Sequence, residues 1–283
     1  MIPVARLKKN LDFNRNLGEI IDAMKVAATL QFNILRTGQE PFVRFRAGLE
    51  ESLAIAAAVP GAGRNRFIRG REDLPGAIVL ISSDEGFLGE LSALLVNKLL
   101  SVYRPGDLVI VVGEQGGNYL RELDIPFESY PSFTDKLEFD QIQGLRDRAF
   151  GLFDGEKAGR LTVIGSQFVN ISFQQVESAQ FLPLGQVLPA PAPGKGGRET
   201  IIEPGLDAVI EEWVRLWMLG RLYQMSWSSR LAECAARIMH LEGSGKELGR
   251  VNQQLRLEYF KYLHGLSDKT IREIVAARLM IRH

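Results

Sequence analysis

The stretch after Pro204 has a helical pattern of apolar and polar positions, and no proline interrupts it through His283. We therefore predict one long C-terminal helix over residues 201–283. At about 1.5 Å per residue, about eighty helical residues extend roughly 120 Å, whereas a compact chain of this length has a radius of gyration of about 19 Å. Such a helix is a rod that needs a partner helix or an enclosing sleeve.

A second helical pattern occupies the N-terminus between Pro3 and Pro41. Its apolar residues recur at a spacing close to three or four: Leu7, Leu11, Leu17, Ile21, Met24, Ala28 and Leu35. The pattern resumes from Phe42 to Val59 after a kink or a break, so residues 1–59 are predicted to be an N-terminal helical rod. Helices at opposite ends of one chain can bury each other's apolar stripes, which predicts a long antiparallel coiled coil.

In the middle of the chain, short runs rich in Val and Ile alternate with segments of helical spacing. The predicted strands are Ala77–Ser82, Leu108–Gly113, Arg160–Gly165 and Phe173–Phe181, and the predicted helices are Leu88–Tyr103, Asn118–Leu123 and Asp140–Phe153. This alternation is typical of βαβ units with a mainly parallel sheet. The fold class is therefore α/β, with a Rossmann-like domain over residues 76–187 inserted between the two long helices.

Two segments outside these elements have the composition of loops. Pro60–Gly76 is rich in Gly and Arg, so we expect it to bury little and to be mobile; binding of a polyanion by its arginines is the alternative. Leu188–Arg198 is rich in Pro and Gly and is predicted to be a linker or surface loop.

Composition narrows the function classes. Lys plus Arg and Asp plus Glu each total 34 in 283 residues, so no whole-chain basic field argues for nucleic acid as a partner. Cys234 is the only cysteine, which excludes an internal disulfide and cysteine-cluster metal sites and fits a reducing compartment. The most apolar stretch, Phe87–Tyr103, is interrupted by charged and polar residues, so we expect no membrane span. We also expect no secretory signal, because no apolar region follows Met1–Leu11.

The candidates for chemistry are weak. Gly113–Gly117 follows a predicted strand but matches neither a dinucleotide fingerprint nor a P-loop, so we interpret these as turn glycines. Ser83–Gly89 also follows a strand, but its acidic pair Asp84-Glu85 would repel a phosphate, so we do not expect a nucleotide site there. His240, His264 and His283 are widely spaced, and Cys234 beside two alanines is expected to be a small buried residue. We predict no catalytic group, cofactor or metal.

Two features of the C-terminal helix leave alternatives open. Trp213, Leu216, Trp217, Met218 and Tyr223 form an apolar face that favours core packing over a binding patch. Gly243-Ser244-Gly245 indicates either a short break in the helix or a place of bending or close helix approach, because glycine inside a helix costs about 1 kcal/mol relative to alanine.

Taken together, these residues resemble the gamma subunit of F-type ATP synthases, the central shaft of the rotary motor. The C-terminal resemblance runs without gaps through Glu203-Pro204, Val209, Tyr223-Gln224, Glu233, Ala235-Ala236-Arg237, Leu255, Leu257, Tyr259 and Glu273-Ile274-Val275. The N-terminal helix matches at Asn16, Ile20, Ala23 and Met24, and the middle domain matches at Ser83-Asp84, Gly86, Gly113, Gly117, Tyr119 and Leu182-Pro183-Leu184.

The resemblance implies a coiled coil inside a ring of three alpha and three beta subunits, with the α/β domain as a foot on the membrane ring (c-ring). Proton or sodium flow would turn the foot, and the shaft would move the catalytic beta subunits through different nucleotide affinities. The implied partners are the alpha, beta and epsilon-like subunits and the c-ring. The chain itself would be non-catalytic, without a cofactor, and peripheral at the cytoplasmic face of a bacterial inner membrane.

The resemblance also implies two sets of contact residues. The shaft would touch the alpha and beta subunits through Met24, Lys25, Leu263, His264, Asp268, Ile274 and Val275, and the foot would touch the c-ring or epsilon through Ser83, Asp84, Glu85 and Gly86. An apolar tip of Ile271, Ile274, Val275, Ala276, Leu279 and Ile281 would turn in a hydrophobic bearing.

Four departures from the family pattern fall on these contacts. Met24-Lys25-Val26-Ala27 is one residue shorter than the family's Met-x-x-Val-Ala, and Glu85 stands where the family has an arginine. Leu263-His264 stands where the family has an Arg-Gln pair, and Ser267-Asp268 replaces an Ile-Thr pair. They favour a divergent rotary complex with its own matched partners. The alternatives are a non-rotary scaffold that keeps the helical pair, and a nucleotide-binding α/β protein with helical arms.

Overall fold

The computed structural model describes residues 4–37, 41–133, 137–187 and 203–280. In these ranges the helices are α1 (Val4–Arg36), α2 (Pro41–Ala57), α3 (Arg66–Arg69), α4 (Leu91–Val102), α5 (Glu114–Glu122), α6 (Phe139–Asp154) and α7 (Leu206–Met280). The strands are β1 (Gly76–Ile81), β2 (Leu108–Val112), β3 (Glu128–Tyr130), β4 (Arg160–Asn170) and β5 (Phe173–Leu182). The predicted linker Leu188–Arg198 lies outside the described residues.

The strands form one mixed sheet in the order β3-β2-β1-β4-β5. The central strand β1 is buried along its whole length and pairs in parallel with β2 and β4, as expected for a strand covered on both faces. β2 pairs in parallel with β3, and β5 closes the sheet antiparallel to β4. With the two long terminal helices, this sheet confirms the predicted α/β fold class.

The sheet differs from the sequence prediction at β3 and at the end of β4. β3 is only three residues long and reads Glu-Ser-Tyr, too short and too polar for an apolar pattern to reveal. β4 continues past the predicted Gly165 to Asn170, because its last residues pair with the start of β5 in a hairpin. These paired residues are mostly polar and half-buried or exposed, so hydrogen bonding rather than burial defines the strand there.

Helices cover both faces of the sheet. On one face, Ile78 and Leu80 of β1 pack with Leu95 of α4 and Leu120 of α5. On the other face, α2, α3, α6 and the first part of α7 share one core with the remaining side of β1. Trp217 and Met218 are buried in that core, and Trp213, Leu216 and Tyr223 pack against it. The prediction that this aromatic face of α7 serves core packing is confirmed.

The expectation of a mobile segment that buries little at Pro60–Gly76 is wrong. A 3-10 turn at Ala62–Arg64 and the helix α3 occupy this segment, and Phe67 is only 1% exposed. The Phe67 ring stacks on Phe150 and Phe153, with ring centroids 5.0 and 5.8 Å apart. Arg66 pairs with Asp154 and with Glu211. The Gly- and Arg-rich composition thus hid one buried aromatic side chain, and carboxylates elsewhere in the fold pair with Arg66 and with Arg71.

The chain divides into two compact units: an α/β unit of Thr29–Arg237, and a helical unit made of Met1–Ala28 with Ile238–His283. Within the helical unit, α1 and α7 run antiparallel. Four successive contacts set the register: Asn14 with Asn252, Gly18 with Leu248, Ile21 with Gly245, and Lys25 with Glu242. Each advance along α1 is matched by a similar step back along α7, so the predicted antiparallel helix pair is confirmed.

α7 is continuous through Gly243-Ser244-Gly245, so the interpretation of these residues as a break in the helix is wrong. A Cβ atom added at Gly245 would lie 3.7 Å from Ile21 Cγ2, whereas one at Gly243 would have no atom within 4 Å. Close approach of α1 therefore applies to Gly245 alone. None of the helices that the structure describes combines the length and the apolar character that crossing a lipid bilayer requires.

Candidate functional site: the strand-end crevice and the exposed helix surfaces

The order of the sheet identifies where a ligand would bind in a doubly wound fold. The chain moves from β1 toward β2 on one side and toward β4 on the other, so the switch in direction lies between β1 and β4. Ligands of open α/β sheets occupy the crevice at the carboxyl ends of such strands. In this protein that place lies beside Ser83, just after β1, and Ser166, within β4.

Side chains of α7 fill this crevice. Ser166 N donates to Ser229 Oγ at 2.9 Å, and Ser229 Oγ donates to Ser166 O at 3.2 Å. A Cβ atom at Gly165 would lie 2.7 Å from Ser229 Oγ, so glycine permits this close approach of helix and strand. On the β1 side, Ser83 hydrogen-bonds the carboxylate of Glu233. The position of a nucleotide in related folds is thus taken by the chain's own helix.

A buried charge cluster lies at the same place. Arg230 Nη1 is 2.9 Å from Glu233 Oε2, and Arg237 Nη2 is 2.9 Å from Glu85 Oε2. Glu233 and Arg237 are 2% and 3% exposed. Burial raises the pKa of the Glu233 carboxyl above its usual value, and the positive charges of Arg230 and Arg237 oppose that rise. The cluster ties α7 to the loop that follows β1.

The loop Ser83–Gly86 is also held from the other side. Asp84 Oδ1 accepts a hydrogen bond from Glu114 N at 2.8 Å, at the start of α5, where a negative charge is favoured. Ser132 donates a further hydrogen bond to Asp84, and Gln115 N donates to Ser83 O at 2.9 Å. Three elements therefore fix the loop: α5, the segment after β3, and α7.

Of the four predicted foot contacts, Asp84 and Glu85 are exposed, Gly86 is half-buried and Ser83 is buried. Their contacts with a ring or an epsilon-like subunit stay predictions. Phe87, which no sequence motif marked, follows them with a left-handed φ of 62° and is 54% exposed. The sequence did contain a sign of this exposed residue: a large apolar side chain directly after Gly86, in the loop that follows a predicted strand.

The glycines after β2 serve packing. Gly113 has a φ of 88° and precedes α5, as expected for a turn glycine. Gly116 N donates to Ser82 Oγ at 3.0 Å, and a Cβ atom at Gly116 would lie 2.6 Å from that oxygen. Gly116 and Gly117 both lie inside α5: Gly116 allows the helix to approach the sheet, and Gly117 leaves room for the Phe127 ring. Only Gly113 is therefore the turn glycine that the sequence predicted.

The other candidates for chemistry lie apart from one another. Cys234 is buried in α7, and His240 and His264 are exposed, while His283 lies outside the described residues. Among the residues that the structure describes, no three acidic, histidine or cysteine side chains are arranged to hold a metal ion.

The predicted shaft contacts fall into two groups. Met24 is half-buried in the helix pair, and Lys25 Nζ lies 2.9 Å from Glu242 Oε2, so Lys25 has a partner within the chain. Leu263, His264, Asp268, Ile274 and Val275 are all exposed on α7. The predicted contacts of both groups with alpha and beta subunits stay predictions.

The last turns of α7 lack cover from α1. By the register of the pair, the first described residue of α1, Val4, lies opposite Tyr262, which is half-buried. Every side chain described after Tyr262 is exposed. Large apolar residues are among them: Leu263, Leu266, Ile271, Ile274 and Val275. An isolated helix with this much exposed apolar surface indicates an interaction surface. Of the predicted tip, the side chains of Ala276 and Leu279, and all of Ile281, lie outside the description.

The comparisons with known proteins agree over nearly the whole chain. Residues 4–276 match the family described as ATP synthase. The ATP synthase gamma chain of Clostridium beijerinckii is 23% identical over 276 residues, with 95% of each chain covered. That of Mycoplasmopsis synoviae is 22% identical over 285 residues, with 98% of each chain covered.

Solved structures show the same fold. A chain in the Euglena gracilis mitochondrial ATP synthase, in its OSCP/F1/c-ring assembly, has a TM-score of 0.70 at 15% identity, covering 98% of this chain and 94% of its own. A chain in the central stalk and c-ring of the Tetrahymena thermophila mitochondrial enzyme has a TM-score of 0.60 at 20% identity, covering 80% of this chain and 99% of its own. By the family match over residues 4–276, together with gamma-chain relatives aligned over at least 95% of its length, this chain belongs to the ATP synthase gamma chain family.

Proposed function

We propose that this chain is the central rotor shaft of an F-type ATP synthase and a non-catalytic subunit of that complex. The observation that carries the proposal is α7, which extends past its pairing with α1 and exposes an apolar surface that a surrounding ring of subunits can cover. The surrounding ring would consist of alpha and beta subunits, and the catalysis would take place in beta.

The proposed mechanism is mechanical. α7 belongs to both units, so rotation applied to the α/β unit is passed along one continuous helix to the helical unit. Because the helical unit is asymmetric in cross-section, each orientation presents different side chains to each beta subunit. Nucleotide affinity in the beta subunits is thereby coupled to shaft orientation through a stiff element with discrete positions.

The proposed partners follow the same division. Alpha and beta subunits would surround the exposed part of α7, and a membrane c-ring and an epsilon-like subunit would contact the α/β unit near Asp84, Glu85 and Phe87, which are exposed. Central stalk and c-ring appear together in the Tetrahymena structure that shares this fold. The chain would be peripheral, at the cytoplasmic face of a bacterial inner membrane.

Reconstitution tests the proposal. The cognate alpha and beta chains are combined with and without this chain, and assembly and ATP hydrolysis are measured. We expect a stable complex with one copy of this chain, and hydrolysis that depends on it. A chain that stays monomeric beside its cognate alpha and beta subunits contradicts the proposal.

A non-rotary scaffold is the second candidate, favoured by Leu263 and His264, which stand where the resemblance implies an Arg-Gln pair. It predicts assembly without hydrolysis that depends on this chain. Nucleotide binding by the α/β unit is disfavoured, because Ser229 and Glu233 occupy the strand-end crevice. Calorimetry with ATP, ADP and NAD on the full chain is expected to give no heat of binding.

A further inference from the structure

Glu85 adds a negative charge to the buried cluster at the strand ends. Arg230 and Arg237 bring two positive charges, and Glu233 offsets at most one of them, when it is ionised; all three lie on the buried side of α7. Glu85 supplies the fourth charge from the loop after β1, with a side chain that is 58% exposed against 4% for that of Arg237. Without Glu85, the cluster would bury an excess positive charge, which is costly in a poorly solvated place.

The contacts around Arg237 join the loop to the helix at two points. Its Nη2 pairs with Glu85, and its Nε donates to the carbonyl oxygen of Gly86 at 3.4 Å. Directly beside them, Leu88 packs with Leu91 and with Ala236 of α7. Polar and apolar contacts next to each other therefore hold the loop against this segment of α7.

We propose that Glu85 is a positioning residue that locks the Ser83–Gly86 loop to Arg237 of α7, so that force applied at this loop enters the long helix directly. This inference rests on the proposed rotor function for its mechanical part. An arginine at position 85 would place a second positive charge against Arg237. The negative charge of Glu85 therefore complements Arg237 of the same chain.

Amide hydrogen exchange on the full chain tests the lock. Glu85→Gln and Arg237→Gln each remove one partner, Glu85→Arg reverses the charge, and Arg237→Lys keeps it. We expect exchange in residues 83–91 to accelerate about tenfold in the two Gln variants, more in Glu85→Arg and less in Arg237→Lys. Glu90→Gln is the matched control, because Glu90 is exposed in the same connection and its side chain makes no capping hydrogen bond to α4. Exchange in Glu85→Arg no faster than in this control overturns the proposal.

The mechanical part is tested in the complete complex, with its c-ring embedded in sealed vesicles, by the number of ions pumped per ATP hydrolysed. We expect this ratio to fall in both Glu85→Gln and Arg237→Gln, whereas a merely structural role would lower the thermal stability and leave the ratio unchanged. Arg237 is buried and therefore cannot contact the c-ring itself. If the pumping ratio fell in Glu85→Gln but not in Arg237→Gln, Glu85 would act through a contact with another subunit, and the proposal would be overturned. A wild-type complex that does not pump contradicts the rotor function itself, while the exchange result still decides the lock.

Discussion

Lys25 and Glu242 are joined by an ion pair of 2.9 Å across 217 positions of sequence. The pair lies at the end of the α1–α7 contact ladder nearest the middle of α7 and helps to fix its register. The hydrogen bond to Glu242 raises the pKa of Lys25, and the hydrogen bond from Lys25 lowers the pKa of Glu242. A residue expected to reach a beta subunit thus has a role inside the shaft.

We predict that charge reversal at either position weakens the helix pair and that the double exchange restores it. Lys25→Glu and Glu242→Lys should each lower the midpoint of thermal unfolding, and Lys25→Glu combined with Glu242→Lys should recover most of the loss. The contribution of the pair should be complete between the ordinary pKa values of 4.5 and 10.5. It should be lost as Glu242 is protonated below that range or Lys25 deprotonated above it.

A salt titration separates this pair from packing effects, because screening weakens exposed charges. The loss in each single variant should shrink as salt is added. A double variant no more stable than the singles would show that the two charges do not interact in solution.

Glu233 should make stability depend on pH in the opposite direction to Glu242. Its pKa is raised above 4.5 in the folded chain, so the folded state binds the proton more tightly than the unfolded state does. The stabilisation from protonated Glu233 is therefore complete below about pH 4.5 and is lost as the pH rises through the folded pKa. For one proton the slope is at most about 1.4 kcal/mol per pH unit.

The substitution Glu233→Gln removes this titrating carboxyl group and therefore tests the prediction. The free energy of unfolding of the variant, relative to the wild type, should increase as the pH is raised from 4.5 toward neutral. A difference that stays constant, or that decreases, would mean that Arg230 and Arg237 outweigh burial and lower the pKa of Glu233 instead.

Phe67 should contribute far more stability than its Gly- and Arg-rich surroundings indicate. Phe67→Ala removes a fully buried ring from between Phe150 and Phe153 and should cost about 3–5 kcal/mol in the free energy of unfolding. Phe139→Ala is the control, because Phe139 is exposed at the start of α6, and it should cost well under 1 kcal/mol. If the two variants lost the same free energy of unfolding, Phe67 would not be an important part of the core.

The sequence predicted the parts of the fold that local periodicity determines. The long helices and the buried strands β1, β2 and β4 have apolar patterns that can be recognised from a single sequence. Contacts such as Ser166 with Ser229 and Glu85 with Arg237 join polar residues that are far apart in the chain, and no periodicity marks them. Phe67 was missed for a related reason, since one buried ring leaves no repeating pattern.

The exposed end of α7 should be needed for assembly but not for folding. Ile274→Asp places a charge on an exposed apolar surface, so thermal stability of the free chain should be unchanged, while affinity for the alpha and beta subunits should fall about tenfold or more. Glu273→Asp is the matched neighbour and should leave affinity unchanged. Truncation after Arg278 should reduce assembly or torque only modestly. If Ile274→Asp or the truncated chain failed to fold, the altered residues would belong to the core and not to an assembly surface.

The most direct test of the shaft role is rotation itself. Glu90→Cys provides an exposed thiol for attaching a bead, whereas Cys234 is buried and should not react. With the cognate alpha and beta ring fixed to a surface and ATP supplied, we predict rotation of the bead in one direction in steps of about 120°, as the threefold arrangement of beta subunits requires. A complex that hydrolyses ATP while the bead stays still would contradict the account.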